Sequence, residues 1–203
     1  MPDRSEHVFR TTELDPALLS TPFRVQTKWH VVTGAPSCGK TTLINLLADN
    51  GFQVVPESAR QYMEGEVARG KNIDEVHANA ATLQTAIKDM QLEVECGLRA
   101  GEVIFLDGAV PGSLAFYRLF GLNPNEILLE CFHHRYASVF ILDRLPIELD
   151  GFRFEIDAHT DFLDEWHTRD YISLGYSVVR VPVLPPEERL GFVLERLSRD
   201  GLL

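Results

Sequence analysis

From Trp29 onward, short apolar runs alternate with longer segments in which apolar residues recur every three or four positions. A short run rich in β-branched and aromatic residues is typical of a strand that is buried on both faces. Five such runs occur, and their sequences are WHVVT, FQVVP, EVIFLD, SVFILD and YSVVRVP. Buried strands that alternate with helices predict a three-layer α/β fold, in which helices flank a five-stranded parallel sheet.

The segments between these runs have the spacing of amphipathic helices. The longest covers residues 74–100, where apolar residues recur at steps of three and four: Val76, Ala80, Leu83, Ile87, Met90, Val94 and Leu98. Gly51 has the position of a residue that ends the first helix. The other predicted helices cover residues 41–50, 57–69, 111–121, 123–135, 161–174 and 186–199.

Two segments lack a regular pattern. Residues 1–28 mix polar residues, prolines and isolated apolar residues, and we interpret them as an N-terminal arm that is mobile or loosely docked. The main domain then covers residues 29–203. Within it, residues 144–160 are polar, aromatic and irregular, which is expected of a lid that closes over a site.

The loop after the first strand matches the phosphate-binding pattern G-x-x-x-x-G-K-[ST] in full. Amides and a helix N-terminus bind the anion in such loops, the lysine reaches the β- and γ-phosphates, and the final hydroxyl ligates Mg²⁺. An apolar strand before the loop and an amphipathic helix after it argue against a chance match. The nucleotide-binding residues are therefore predicted to be Gly34, Ala35, Pro36, Ser37, Cys38, Gly39, Lys40, Thr41 and Thr42.

Acidic residues follow three other strands, and parallel sheets bind ligands beyond the carboxyl ends of their strands. Asp107 can hold Mg²⁺ together with Thr41, or accept a proton from a substrate hydroxyl; a turn-forming aspartate is the alternative. Glu57 can be the base that activates the acceptor, or a first-turn residue stabilised by its helix dipole. We expect Asp143 on the same rim of the sheet.

Four arginines are candidates for contacts with substrate or with the transferring group. Arg60 lies one helical turn from Glu57, so both can face one cleft, with a surface ion pair as the alternative. Arg118 can contact substrate or cap its helix. In the irregular segment, Arg153 is a stronger candidate than Arg144 for a lid arginine that neutralises charge on the γ-phosphate. A solvated loop arginine is the alternative for both.

Net charge and composition limit the kinds of partner that we expect the chain to bind. The net charge of −11 repels nucleic-acid backbones, so we expect no nucleic-acid partner. No signal peptide and no apolar stretch of about 18 residues is visible, so we expect no membrane partner and a cytoplasmic location. Cys38, Cys96 and Cys131 lack metal-ligand spacing and are interpreted as free thiols. No N-K-x-D segment that would read guanine follows the later strands, which leaves ATP as the expected donor.

Seven pieces of the chain together resemble a known family. They are GAPSCGKTTLI, VVPESAR, FLDGAVPGSLAFYRLFGL, VFILDRLP, DGFRFE, LGYSVVRVP and ERLGFVL. Their order and spacing along residues 29–203 resemble the AAA-domain ATPase/kinase family related to nicotinamide-riboside kinases. The resemblance implies a P-loop kinase fold and phosphorylation of a small metabolite of nucleoside or similar type. It also implies a cleft formed by Glu57, Arg60, Asp107 and Arg118, with a lid that contains Arg153.

The chain departs from this family at two positions. Gly108 and Gly112 stand where the family usually has Arg and Asp. Either the acceptor differs, or kinase activity has been lost while nucleotide binding remains. We therefore expect an ATP- and Mg²⁺-dependent small-molecule kinase, with a nucleotide-dependent regulatory ATPase that acts on a protein partner as the alternative. Its expected catalytic residues are Lys40, Glu57, Asp107 and Arg153.

Overall fold

The structure is a computed structural model that describes residues 10–72, 75–76, 79–145 and 156–203. Its strands are β1 (Val25–Gln26), β2 (Trp29–Thr33), β3 (Gln53–Val55), β4 (Ile104–Asp107), β5 (His134–Arg135), β6 (Ser138–Leu142) and β7 (Val178–Val181). Its helices are α1 (Pro16–Leu19), α2 (Lys40–Asp49), α3 (Ser58–Ala68), α4 (Ala80–Gly97), α5 (Ser113–Leu119), α6 (Ile156–Ser173) and α7 (Pro186–Arg199). Short 3₁₀ helices lie at Val110–Gly112, Pro124–Glu126 and Leu128–Phe132.

One parallel sheet organises the chain, with its strands in the order β3-β4-β2-β6-β7. These are the five strands that the apolar runs predict, so the predicted fold class is confirmed. Val55 pairs with Leu106, which brings the carboxyl ends of β3 and β4 level with each other. Along the rim formed by these carboxyl ends lie, in strand order, Glu57, Asp107, the loop 34–41 and Asp143.

Alternate residues of each strand enter two different cores, as the period of a pleated strand requires. One core contains Val31, Leu106 and Ile141 and is covered by α4, α5 and the end of α6. Their strand neighbours Val32, Phe105 and Phe140 enter the other core, which α2 and α7 cover. Burial on both faces explains why these strands read as continuous apolar runs.

Three helix predictions are corrected by the structure. The long helix begins at Ala80 and not at residue 74, because Asn79 caps it by accepting a hydrogen bond from the Thr82 amide (3.0 Å). The helix predicted over residues 123–135 is instead a pair of 3₁₀ helices, the first of which starts at an Asn-Pro step where Asn123 accepts from the Asn125 amide.

None of the helices in the described part of the chain combines the length and apolar composition that a membrane crossing needs.

The third correction concerns the predicted lid. Helix α6 begins at Ile156, so residues 156–160 of the predicted segment are helical. Residues 146–155, which include Arg153, lie outside the described residues. The assignment of a lid therefore stays a prediction.

Part of the predicted N-terminal arm lies against the domain. The Arg10 amide donates to the Arg118 carbonyl (3.1 Å), and the Arg24 amide donates to the Phe132 carbonyl (2.9 Å). Leu14 is buried in the core between these two contacts, and β1 pairs with β5. The boundary between arm and domain at residue 29 stays a prediction.

Candidate functional site

The loop after β2 has a conformation that its glycines permit. Gly34 has φ +142°, and a Cβ there would lie 3.0 Å from the Leu142 carbonyl oxygen and 2.9 Å from the Cys38 sulfur. Gly39 has φ +91°. Ser37 has φ +63°, a left-handed conformation that costs a non-glycine residue about 1 kcal/mol or more. Such strain is found most often where a backbone is shaped to contact a ligand.

Helix α2 begins at the end of this loop with its amides available. Its N-cap residue is Gly39, which has no side chain that could accept a hydrogen bond from the first-turn amides. The Lys40 ammonium donates to the carbonyls of Gly34 (3.0 Å) and Ala35 (2.9 Å), which folds the side chain over the loop. Pro36, Ser37 and Thr42 are exposed. This arrangement of amides, helix terminus and ammonium group suits an anion such as a phosphate.

Asp107 reaches the same loop from β4. Its Oδ2 lies 3.5 Å from the Thr41 hydroxyl, while its Oδ1 has no hydrogen-bond partner among the described residues. The side chain is only 3% exposed. Burial, followed by the nearby negative charge of Glu57, raises the pKa of Asp107 to about 6, although Lys40 opposes this shift. A buried carboxyl oxygen without a partner, beside a hydroxyl, can be a ligand for a metal ion.

Glu57 and Arg60 lie beside Asp107 at the end of the neighbouring strand β3. Glu57 has the N-cap position of α3, yet its side chain makes no capping hydrogen bond. The charges of both residues act on the pKa of Asp107, Glu57 raising it and Arg60 lowering it. Glu57 is half-buried and Arg60 is exposed. We call the region bordered by Glu57, Arg60 and Asp107 the acceptor cleft, after the role that the family resemblance implies for it.

Arg189 in α7 is a residue of this site that the sequence analysis missed. Its guanidinium donates to three backbone carbonyls, those of Cys38 (2.6 Å), Pro182 (3.0 Å) and Asp143 (3.2 Å). The side chain is 4% exposed and has no carboxylate partner within the described residues. Arg189 therefore ties the loop 34–41 to the ends of β6 and β7, and leaves an unneutralised positive charge next to it.

Two further buried groups are affected by the charge of Lys40. Burial raises the pKa of the Cys38 thiol, so the thiol stays neutral and acts as a small spacer. His167 on α6 is 2% exposed, and its Nε2 would lie 3.7 Å from a Cβ at Gly112. Burial lowers the pKa of His167 to about 4, and the charge of Lys40 contributes to this shift.

Arg118 lies outside the acceptor cleft. It has no exposed surface and donates to Asp170 (2.6 Å) and to the carbonyl of Thr12 (2.7 Å), while its guanidinium stacks 4.1 Å above the Trp166 ring. A substrate could reach it only by displacing these partners. We therefore leave Arg118 out of the proposed substrate site and assign it to the packing of α5 against α6 and the arm.

The predicted lid segment contains two arginines, of which the structure describes Arg144. Arg144 forms an ion pair with Asp161 on α6, which ties the start of the predicted lid to that helix. Arg153 lies in the range 146–155 outside the described residues, so its role stays a prediction. The roles in nucleotide and metal binding assigned above to the loop and to Asp107 also stay predictions, and the geometry supports them.

The chain is similar to a known protein family and to solved structures over most of its length. The AAA domain family model matches residues 29–189. Among solved structures, the NadR protein in complex with NR is 22% identical with a TM-score of 0.64, and the match covers 85% of this chain and 51% of that one. The chain therefore spans about half the length of NadR. No curated protein matches.

Two other solved structures match the chain over nearly their whole length. Thymidylate kinase from Candida albicans is 13% identical with a TM-score of 0.56, and the match covers 87% of this chain and 93% of that one. Shikimate kinase from Aquifex aeolicus is 18% identical with a TM-score of 0.53, over 86% and 98% of the two chains. These likenesses show that the chain has a P-loop kinase-type fold. The AAA domain match and the NadR structure confirm the resemblance inferred from the sequence.

Proposed function

The chain belongs to the AAA domain family, and we propose that it is an ATP- and Mg²⁺-dependent kinase that transfers the γ-phosphoryl group to a hydroxyl of a small metabolite or nucleoside. One observation carries the proposal. An anion-binding loop, a Thr41–Asp107 pair and a second carboxyl group, Glu57, converge on one rim of the sheet. The kinase domain is residues 29–203 in this proposal.

The triphosphate is held by the loop 34–41. Its amides and the N-terminus of α2 bind the phosphate oxygens, and Lys40 exchanges its two loop carbonyls for the β- and γ-phosphates. Arg189 adds positive charge behind the loop. This local positive site is needed because the chain as a whole carries a charge of −11, which repels a triphosphate.

Thr41 and Asp107 fit a magnesium ion. Mg²⁺ prefers oxygen ligands, and this pair offers a hydroxyl oxygen and a carboxyl oxygen that lacks a partner among the described residues. When bound, the ion would neutralise negative charge on the phosphates. Binding of a cation would also offset the cost of keeping a charged Asp107 buried.

With Asp107 assigned to the metal, Glu57 is the proposed base. It accepts the proton of the acceptor hydroxyl as the hydroxyl oxygen forms a bond to the γ-phosphorus, and the bond from that phosphorus to the ADP oxygen breaks. Arg60 holds the acceptor at the exposed side of the cleft. Arg153 of the proposed lid neutralises charge on the transferring group.

The comparisons support a transfer reaction in this fold. A solved structure of NadR contains NAD and AMP-PNP, with a TM-score of 0.62 to this chain, and two other relatives in fold are named as kinases. The three cysteines of the chain are free, in keeping with a cytoplasmic location.

A regulatory ATPase is the second candidate, and Gly108 favours it. This residue has φ +81° and a Cβ there would meet open space, so no side chain projects from this point toward an acceptor. An ATPase that switches a protein partner would not need such a contact.

The test is ADP release from Mg·ATP with a panel of nucleosides, nucleotides, sugars and other hydroxyl metabolites. We expect one acceptor to raise the rate far above the rate without acceptor, and Glu57→Gln to remove the gain while Mg·ATP binding persists. Lys40→Ala is the control that weakens nucleotide binding. A slow rate that no acceptor changes would refute the kinase, and a partner captured in one nucleotide state only would then establish the regulatory ATPase.

A further inference from the structure

A buried carboxyl group on α4 connects the two sides of the acceptor cleft. Glu95 is 1% exposed, and its Oε1 accepts hydrogen bonds from the Val110 amide (3.0 Å) and from Gln91 Nε2 (2.9 Å). Its Oε2 accepts from the Tyr136 hydroxyl (2.8 Å) and lies 3.4 Å from His134 Nδ1. The two oxygens therefore face different partners, Oε1 toward the cleft segments and Oε2 toward the core.

The Oε1 side extends to α3. Gln91 also accepts a hydrogen bond from the Ser58 hydroxyl (2.6 Å), and both side chains are buried. Ser58 directly follows Glu57, and Val110 is three residues beyond Asp107. A continuous chain of hydrogen bonds, from Ser58 through Gln91 and Glu95 to Val110, thus links the segment of the proposed base to the segment of the proposed metal ligand.

An apolar core would fill this space at lower cost. A buried carboxyl group is costly unless its hydrogen bonds are satisfied, and Glu95 has no Lys or Arg partner within the described chain. A fully satisfied polar network fixes the relative placement of the segments that it joins more tightly than apolar packing does. The network fixes the segments at residues 57–58 and 107–110, which border the cleft.

We propose that Glu95 is a positioning residue that sets the separation between Glu57 and Asp107. The inference rests on the proposed function, because it takes the space between these residues as the acceptor cleft. No hydrogen bond or ion pair joins Glu95 to the loop 34–41 within the described chain, so it acts on the acceptor and on transfer and leaves triphosphate binding unchanged.

Glu95→Met tests the proposal, because methionine has a similar length and accepts no such hydrogen bonds. We expect kcat/KM for the acceptor to fall about tenfold to a hundredfold, as misplacement of reacting groups by about 1 Å does, while Kd for Mg·ATP stays within about twofold. Glu95→Gln keeps one carbonyl oxygen for the Val110 amide and should restore most of the activity. Gln91→Leu, which cuts the link to α3 alone, gives the same test if Glu95→Met does not fold.

Tyr136→Phe is the matched control. It removes a hydrogen bond from the same carboxyl group but only on the core side, so it should lower Tm without a comparable loss of kcat/KM. If Tyr136→Phe and Glu95→Met lower kcat/KM equally at equal loss of Tm, Glu95 is a core residue only and the proposal is wrong.

Amide hydrogen exchange separates this proposal from the proposed function. Glu95→Met should speed exchange at residues 57–60 and at 108–112 together, and Ser58→Ala should speed it at 57–60 only. Neither should affect the loop 34–41. If no acceptor is found, the proposed function fails, and coupled exchange would still establish the link. Unchanged exchange at both segments would overturn it.

Discussion

Replacing Asp107 with asparagine should stabilise the metal-free protein. The carboxyl group is 3% exposed, one of its oxygens lacks a partner among the described residues, and burial with the charge of Glu57 raises its pKa from 3.8 to about 6. This difference corresponds to about 3 kcal/mol, the cost of carrying the charged form in the folded state. Asparagine is never charged, and its amide oxygen can still accept from Thr41.

The sign of the pH dependence follows from linkage. Between pH 4 and 6 the folded state keeps a proton on Asp107 that the unfolded state has released, so wild-type stability falls as pH rises through this range. Asp107→Asn has no carboxyl group at this position, so it lacks this pH-dependent loss of stability. The gain in free energy of unfolding should therefore be small near pH 4 and approach about 3 kcal/mol, as an upper limit, above pH 7.

Urea unfolding with EDTA, over pH 4 to 8, measures this difference. Asp143→Asn is the control, because Asp143 lies on the same rim but is paired with Arg180 at 2.6 Å, so its replacement should give no gain. Added Mg·ATP should then reverse the order, stabilising wild type more than Asp107→Asn. If Asp107→Asn is less stable than wild type in EDTA at pH 8, the view of Asp107 as a functional group held at a cost to stability is refuted.

Two further predictions concern the surroundings of the loop. Burial lowers the pKa of His167 to about 4, so folding favours the neutral ring, and this contribution to stability is lost as pH falls from 6.5 toward 4. His167→Gln should remove up to about 3 kcal/mol of that loss, measured as the free energy of unfolding in urea between pH 7 and 4. An unchanged dependence of the free energy of unfolding on pH would contradict the prediction. Arg189→Lys cannot serve all three carbonyls, so it should lower the free energy of unfolding by about 2 kcal/mol and weaken Mg·ATP binding, as urea unfolding and calorimetry would show. Arg196→Lys, at an exposed pair with Asp200 on the same helix, should change neither, and equal effects of the two variants would count against the role of Arg189.

Much of the fold could be predicted from local patterns in the sequence. The three central strands β2, β4 and β6 are contiguous apolar runs because both their faces are buried, and the loop 34–41 is a contiguous motif. Glu57 and Asp107 could be placed on one rim because parallel strands end at the same edge. The start of α4 could also have been predicted, since asparagine is a favoured N-cap residue and Asn79 directly precedes Ala80.

The features that were missed depend on contacts between distant residues. Arg189 binds the carbonyl of Cys38, which is 151 residues away, and a backbone acceptor leaves no trace in the sequence. The sequence predicts that Arg118 contacts substrate or caps its helix, because nothing in it shows that Arg118 donates to Asp170, 52 residues away. Apart from Gln91 on the same helix, the partners of Glu95 lie on two other segments, at Val110 and at residues 134–136, and the spacing of Glu95 on α4 does not distinguish it from a solvent-facing residue.

Titration of Mg·ATP into the folded protein by isothermal calorimetry tests the central claim most directly, namely that the loop 34–41 gathers a triphosphate against the charge of the whole chain. We predict saturable binding of one nucleotide per chain, weakened at least about tenfold by Lys40→Ala, since the lysine supplies the one flexible cation of the motif. Flat titrations with both Mg·ATP and Mg·GTP, on protein that unfolds cooperatively, would contradict the account.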